Sequence, residues 1–258
     1  MKDRYPLFDS HFHIIDPSFP LIANQGYLPE PYRCADYLRQ TSGYSLCGGA
    51  VVSGSFQGFD QTYLLDALDH LGDDFVGVTQ LPVTVTDDEI FLLHQAGIRA
   101  VRFNLRRGGS EEIVHLRSFA RRIFELVGWH VELYVDSREL ESLYQTLITL
   151  PRVSVDHLGL SRDGFNCLLR LAERGVRVKA TGFSRGDLDI KNALRMLHEV
   201  NPNALMFGTD LPCTRAPRSY SDEDFYLVVE TLGEEAAAAI FHLNALQWYR
   251  PGQRPHSG

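Results

Sequence analysis

Cysteine is scarce in this chain of 258 residues: Cys34, Cys47, Cys167 and Cys213 lie far apart, with no Cys-x-x-Cys pair. That spacing excludes a disulfide-stapled scaffold and a cysteine-based zinc knuckle. Free, mostly buried thiols in a reducing cytosol are the expectation. No apolar run is long enough to span a bilayer, and Met1–Pro6 lacks the apolar core of a signal peptide, so a soluble cytoplasmic protein without membrane partners is expected. Positive charge is also in deficit. Lys and Arg number 25 against 33 Asp and Glu, a net charge of -8, and no basic stripe appears, which argues against a nucleic-acid partner. No Gly-x-Gly-x-x-Gly follows the first strand, so a dinucleotide fold gains no support. Linkers, composition shifts and short repeats are likewise missing, and residues 1–258 read as one domain.

What is present is an alternation. Apolar runs rich in β-branched residues predict strands at Leu7–His13, Leu46–Ser53, Phe75–Gln80, Ile98–Phe103, Trp129–Val135, Val153–Asp156, Val176–Ala180 and Ala204–Gly208. Between them lie helical patterns with their own stops. Asp60 caps one that ends at Gly72, and Thr86 caps one that ends near Gly97. Others are expected over Arg33–Ser42, Glu111–Val127, Asp136 or Ser137 to Leu150, Asp163–Arg174, Asp187–Val200 and Ser221–Tyr249, the last broken at Gly233. Strands that read as continuous apolar runs are buried on both faces. Eight βα units in about 250 residues is the arithmetic of an α/β (β/α)8 TIM barrel.

In such a barrel the chemistry sits at the C-terminal strand ends. Those ends carry His11 and His13, two apart and therefore aimed alike on a strand. They also carry Ser53, Arg102 with Arg106 and Arg107 beyond it, Tyr134, His157 after Asp156, Lys179, Arg185, and Asp210. Each has an ordinary alternative: Asp210 as a helix cap, His157 as a satisfied core histidine, Arg106 and Arg107 paired with Glu111 and Glu112. Three histidines and an aspartate gathered at one barrel mouth would be costly to bury without a task.

Asp9-x-His11-x-His13, Asp156-His157-x-Gly159 and Gly208-Thr209-Asp210-x-Pro212 stand in order on strands 1, 6 and 8. This set resembles the amidohydrolase superfamily, and within it the lactonase branch that acts on 2-pyrone-4,6-dicarboxylate. Asn244–Tyr249 is similar to that branch's last helix. The resemblance implies a cytoplasmic hydrolase of aromatic catabolism. Asp210 would activate water, His11, His13 and His157 would polarise the carbonyl, and Arg102, Arg106 and Arg107 would hold substrate carboxylates. Tyr27, Tyr134, Arg185 and Ser53 would be further substrate contacts. Leu160 stands where that branch has a basic residue, which bears on the substrate. The partner implied is a small anionic lactone, with a homo-oligomer as one form of assembly.

A cofactor is not favoured. Strand 5 offers Tyr134 where metal-dependent members place a histidine, and Arg102 would repel a cation. The alternative is one zinc held by His11, His13, His157 and Asp210, which would suit a zinc-dependent decarboxylase of the same superfamily. A non-catalytic anion-binding barrel is the third reading.

Overall fold

Eight strands make one parallel sheet, each hydrogen-bonded to the next in chain order. They are β1 (Pro6–Phe12), β2 (Ser45–Val52), β3 (Phe75–Thr79), β4 (Ile98–Asn104), β5 (His130–Tyr134), β6 (Val153–Val155), β7 (Arg177–Ala180) and β8 (Leu205–Phe207). The computed structural model describes residues 2–252. Parallel neighbours need a crossover, and helices supply it: α1 (Cys34–Thr41), α2 (Thr62–Leu71), α3 (Asp87–Gln95), α4 (Leu116–Val127), α5 (Leu140–Leu147), α6 (Phe165–Glu173) and α7 (Ile190–Val200). After β8 come α8 (Asp222–Leu232), α9 (Glu234–Ala238) and α10 (Asn244–Tyr249). This is the expected (β/α)8 barrel.

The cylinder is closed by backbone rather than by a strand ladder. Just beyond β8, the Asp210 amide donates to the His11 carbonyl at 2.7 Å, and the His13 amide donates to the Leu211 carbonyl at 2.7 Å. Two apolar layers hold the barrel. One lies between sheet and helices. The other fills the interior with Phe8, Val52, Val78, Ala100 and Met206, and Trp248 and Tyr249 of α10 pack into it. Tyr249 stacks on Phe8 at 5.5 Å between ring centroids. Burying such a large aromatic contributes a few kcal/mol, so α10 acts as a plug.

Several helix starts fall later than expected, for local reasons. Glu111 does not begin a helix because its carboxylate accepts the Val83 amide at 2.5 Å. A 3₁₀ turn at Ile113–His115 intervenes before α4. Gly164 has φ +87°, which cannot continue a right-handed helix, so α6 begins after it. Asp189 rather than Asp187 caps α7, by accepting the Asn192 amide at 3.1 Å. Asp187 instead accepts the Arg162 amide at 2.6 Å. Asp60 sits one residue before the cap of α2 and accepts the Thr62 hydroxyl at 2.8 Å. Thr86 caps α3 as expected, in a reciprocal box with Glu89. The cysteines are free, with Cys167 and Cys213 buried and Cys34 and Cys47 half-buried. Among the described residues no helix is long and apolar enough to cross a membrane.

Candidate active site

The motifs on β1 and after β8 are one structure. Asp9 is fully buried, and its carboxylate accepts the Thr209 amide at 2.9 Å, the Thr209 hydroxyl at 2.6 Å and the Tyr37 hydroxyl at 3.2 Å. Burial outweighs these bonds and pushes the Asp9 carboxyl up to about 6. Thus the first residue of Asp-x-His-x-His fastens the seam, and the two histidines beyond it are carried to Asp210. His11 Nε2 lies 3.8 Å from Asp210 Oδ1, and His13 Nε2 lies 3.9 Å from the same oxygen. Asp210 itself has φ +62°. A left-handed non-glycine residue is strained by about 1–3 kcal/mol and persists only where its surroundings over-determine it. Here the bond from its amide to His11 and that from the Cys213 amide to its carbonyl, 2.6 Å, do so.

His11 Nε2, His157 Nδ1 and Asp210 Oδ1 are buried without a hydrogen-bond partner. Unpaired polar atoms in a core are expensive, and these three face one another. Burial holds all three imidazoles neutral. It drives His11 and His157 well below the usual range and lowers His13 to about 3, with Arg102 adding to the effect on His13. Burial also raises the Asp210 carboxyl, against the opposing pull of Arg185. Arg185 donates from Nε to Asp210 Oδ2 at 2.6 Å, leaving Oδ1 toward the cluster. Gly182 makes the space. A Cβ there would stand 2.6 Å from His157 Nδ1 and 2.9 Å from Asp210 Oδ2.

Above this centre opens a pocket. His13, Arg102, Tyr134, His157 and Arg185 line it, as do Arg107 and Arg215. The expected residues therefore divide. His11 and Asp210 lie beneath the floor, fully buried. Arg102 reaches the pocket, but its guanidinium is already held by Asp156, at 3.0 and 2.8 Å, and by the Ser53 carbonyl at 2.9 Å. Ser53 is not in the lining; its hydroxyl meets Tyr63 at 2.6 Å. Arg106 is exposed and is not part of the lining. Tyr27 stands behind the lining as the ring under Arg215, 4.4 Å from its guanidinium.

Arg215 is the residue that sequence reasoning missed. It lies five positions past Asp210 in an irregular loop, with φ +58°, so no periodic signal pointed to it. Asn24 holds its guanidinium. Among the described residues no carboxylate pairs with Arg107 or Arg215, and neither Glu111 nor Glu112 takes Arg107 as the ordinary reading expected. Burial lowers Arg215, and the Arg107 charge lowers it further. Two cations that repel one another across a pocket invite an anion.

His11, His157 and Asp210 each offer a ligand atom within 4.8 Å of the others, so the cluster could in principle hold a metal ion. The wider setting opposes it. A metal-bound histidine hands its outer N–H to an acceptor. His13 does so, with Nδ1 at 2.6 Å from the Val52 carbonyl. His11 does not: the Lys179 ammonium stands 3.3 Å from its Nδ1. Arg185 occupies Asp210 from behind. With cations backing two of three ligands, the donor set does not fit a resident divalent ion. A second acidic group, His11 with Glu132 and Asp156, is already matched by Lys179 and Arg102.

A barrel with imidazoles and a carboxylate gathered at its mouth suits a hydrolase, and sequence comparison supplies the class. The amidohydrolase family model matches residues 8–250; the chain belongs to this family and is a hydrolase. It is 31% identical over 233 residues to a 2-pyrone-4,6-dicarboxylate hydrolase of Comamonas testosteroni, covering 79% of this chain and 76% of that one. It is 25% identical over 225 residues to a 4-sulfomuconolactone hydrolase of Hydrogenophaga intermedia, covering 80% and 74%. A putative 2-pyrone-4,6-dicarboxylic acid hydrolase from Pseudomonas putida superposes with TM-score 0.80 at 27% identity, covering 95% and 97%.

Proposed function

We propose that this enzyme opens a small, carboxylated lactone ring by attack of water, with a substrate of the pyrone-dicarboxylate kind. The pair of unneutralised arginines, Arg107 and Arg215, over the buried His–Asp centre carries this reading. A planar guanidinium binds a carboxylate by two parallel hydrogen bonds. Both relatives quoted by name act on anionic rings, a pyrone dicarboxylate and a sulfonated lactone.

In this reading a water sits between Asp210 Oδ1 and His13 Nε2. His13 donates from Nδ1 to Val52, so its neutral ring offers a lone pair at Nε2 to one water proton. Asp210 accepts the other proton as general base, and its raised affinity for protons makes it better suited than an exposed carboxylate. The water oxygen bonds to the lactone carbonyl carbon. Donors around the pocket stabilise the charge that gathers on the carbonyl oxygen. The ring C–O bond then breaks, and the departing oxygen takes back the proton held by Asp210. For a 2-pyrone that oxygen leaves as an enolate, a stabilised leaving group, which lets a carboxylate base suffice.

The test is ring opening by the full chain, followed by loss of ultraviolet absorbance, with 2-pyrone-4,6-dicarboxylate and 4-sulfomuconolactone as the two substrates. Hydrolysis of either by the wild type, and its loss in Asp210→Asn, is the expected outcome. No hydrolysis of either sinks the reading.

A further inference from the structure

Between the catalytic floor and the α10 plug lies a buried polar chain that the reaction scheme does not use. Tyr249 donates to Glu132 Oε1 at 2.5 Å, and His130 Nε2 meets the same oxygen at 3.0 Å. Lys179 Nζ meets Glu132 Oε2 at 2.5 Å, stands 3.7 Å from Asp156 Oδ1, and lies 3.3 Å from His11 Nδ1. Glu132 and Lys179 are fully buried inside the barrel. Hydrophobic side chains could fill this layer, as they do in ordinary barrels. A buried charge pair is seldom kept for stability alone, since an apolar replacement is often neutral or better.

An ammonium has three donors and no lone pair to accept with. At His11 Nδ1 it can only donate, so that nitrogen carries no proton. The neutral ring must then hold its proton at Nε2, the atom 3.8 Å from Asp210 Oδ1. Without Lys179 the ring has another option. Asp156 Oδ1 is buried, has no hydrogen-bond partner, and lies 3.6 Å from His11 Nδ1. It would draw the proton to Nδ1 and leave a lone pair at Nε2, facing the Asp210 carboxylate.

We propose that Lys179 is a positioning residue that fixes His11 as the Nε2–H tautomer, so that His11 donates into the reaction centre. Glu132, Tyr249 and His130 hold Lys179 in place for that purpose. The catalytic consequence rests on the lactone-opening reading above, whereas the tautomer does not.

The experiment therefore has two arms. Protein labelled with ¹⁵N in its histidine rings is examined by two-bond ¹H–¹⁵N correlation, and His11 is assigned from the signal lost in His11→Asn. The wild type is expected to show the Nε2–H pattern, and the paired variant Lys179→Met with Glu132→Gln, which removes both buried charges together, the Nδ1–H pattern. In the second arm kcat for 2-pyrone-4,6-dicarboxylate is expected to fall about 100-fold in the paired variant, the scale of a lost transition-state donor, with KM within about threefold of wild type. An Nδ1–H pattern in the wild type overturns the proposal, even if the variant does not fold. A switched tautomer with undiminished kcat overturns the positioning role. If the wild type opens no lactone, the functional reading fails and the first arm alone decides the tautomer.

Discussion

Asp210 is the residue on which the proposed chemistry turns, and its surroundings yield several expectations. It must be ionised to act as base. Burial raises its carboxyl above the ordinary value of 3.8, so kcat/KM should rise with pH through an apparent pKa above the usual carboxylate range, and fall below it. A pH profile flat down to pH 4 would remove Asp210 as the titrating base. Arg107→Ala and Arg215→Ala should each raise KM for a carboxylated lactone by about 10-fold or more, the loss of one charge-assisted hydrogen-bonded contact, with a smaller change in kcat. Steady-state kinetics on both variants separates binding from chemistry. Gly182→Ala should abolish turnover while leaving the melting temperature within a few degrees, because its Cβ would press on His157 and Asp210 rather than on the apolar core. Dialysis against EDTA should leave kcat unchanged. Activity lost to the chelator and restored by zinc would show that a cation overcomes Lys179 and Arg185.

At the scale of elements, the barrel's weak joint is the contact of β1 with the segment after β8. No ladder spans it among the described residues, and two backbone bonds and the Asp9–Thr209–Tyr37 cluster carry it. Asp9→Ala would leave the Thr209 amide, the Thr209 hydroxyl and the Tyr37 hydroxyl without their acceptor in a buried place. A cost of about 3 kcal/mol is expected, read as a lowered urea midpoint with unchanged slope. A midpoint within experimental error of wild type would show that the seam is held elsewhere. Because the same segment carries Asp210, the variant should lose activity even under conditions where it is fully folded. In the proposed scheme stability and catalysis share this joint, since the bonds that close the cylinder also set the strained backbone of Asp210.

Considered whole, the molecule has a net charge of -8, yet it gathers four arginines around one pocket. Only two of these lack a carboxylate partner. The attraction for an anion is therefore local, made by low-dielectric walls and not by the field of the whole surface. Contacts of a few ångströms inside such walls are little screened, whereas the long-range repulsion between the anion and a chain of charge -8 is, so KM for a dicarboxylate lactone should hold steady or fall as ionic strength goes from about 0.01 M to 0.15 M, over which the screening length shrinks from about 30 Å to 8 Å. A KM that rises steeply with salt would mean that a long-range field, and not contact with Arg107 and Arg215, governs binding.

Much of this was written along the chain. Strand and helix patterns set the order of eight βα units, because burial on both faces imposes continuous apolar strands and burial on one face imposes helical spacing. His11, His13, His157 and Asp210 were legible because strand ends in a parallel barrel share one rim, and strand parity aims His11 and His13 alike. What the linear pattern could not decide was which polar group would be spent on which. Arg102 and Asp156 lie 54 residues apart, and their pairing takes an expected substrate arginine into the wall. Arg215 entered the pocket from an irregular loop with no periodicity to announce it. Lys179 was legible as a strand-end cation, but Glu132 gave no signal on its apolar strand, and only the closed cylinder set the pair against His11. Local pattern follows from solvent exposure along one element, whereas the pairing of buried charges follows from distances between elements, which exist only once the barrel has closed.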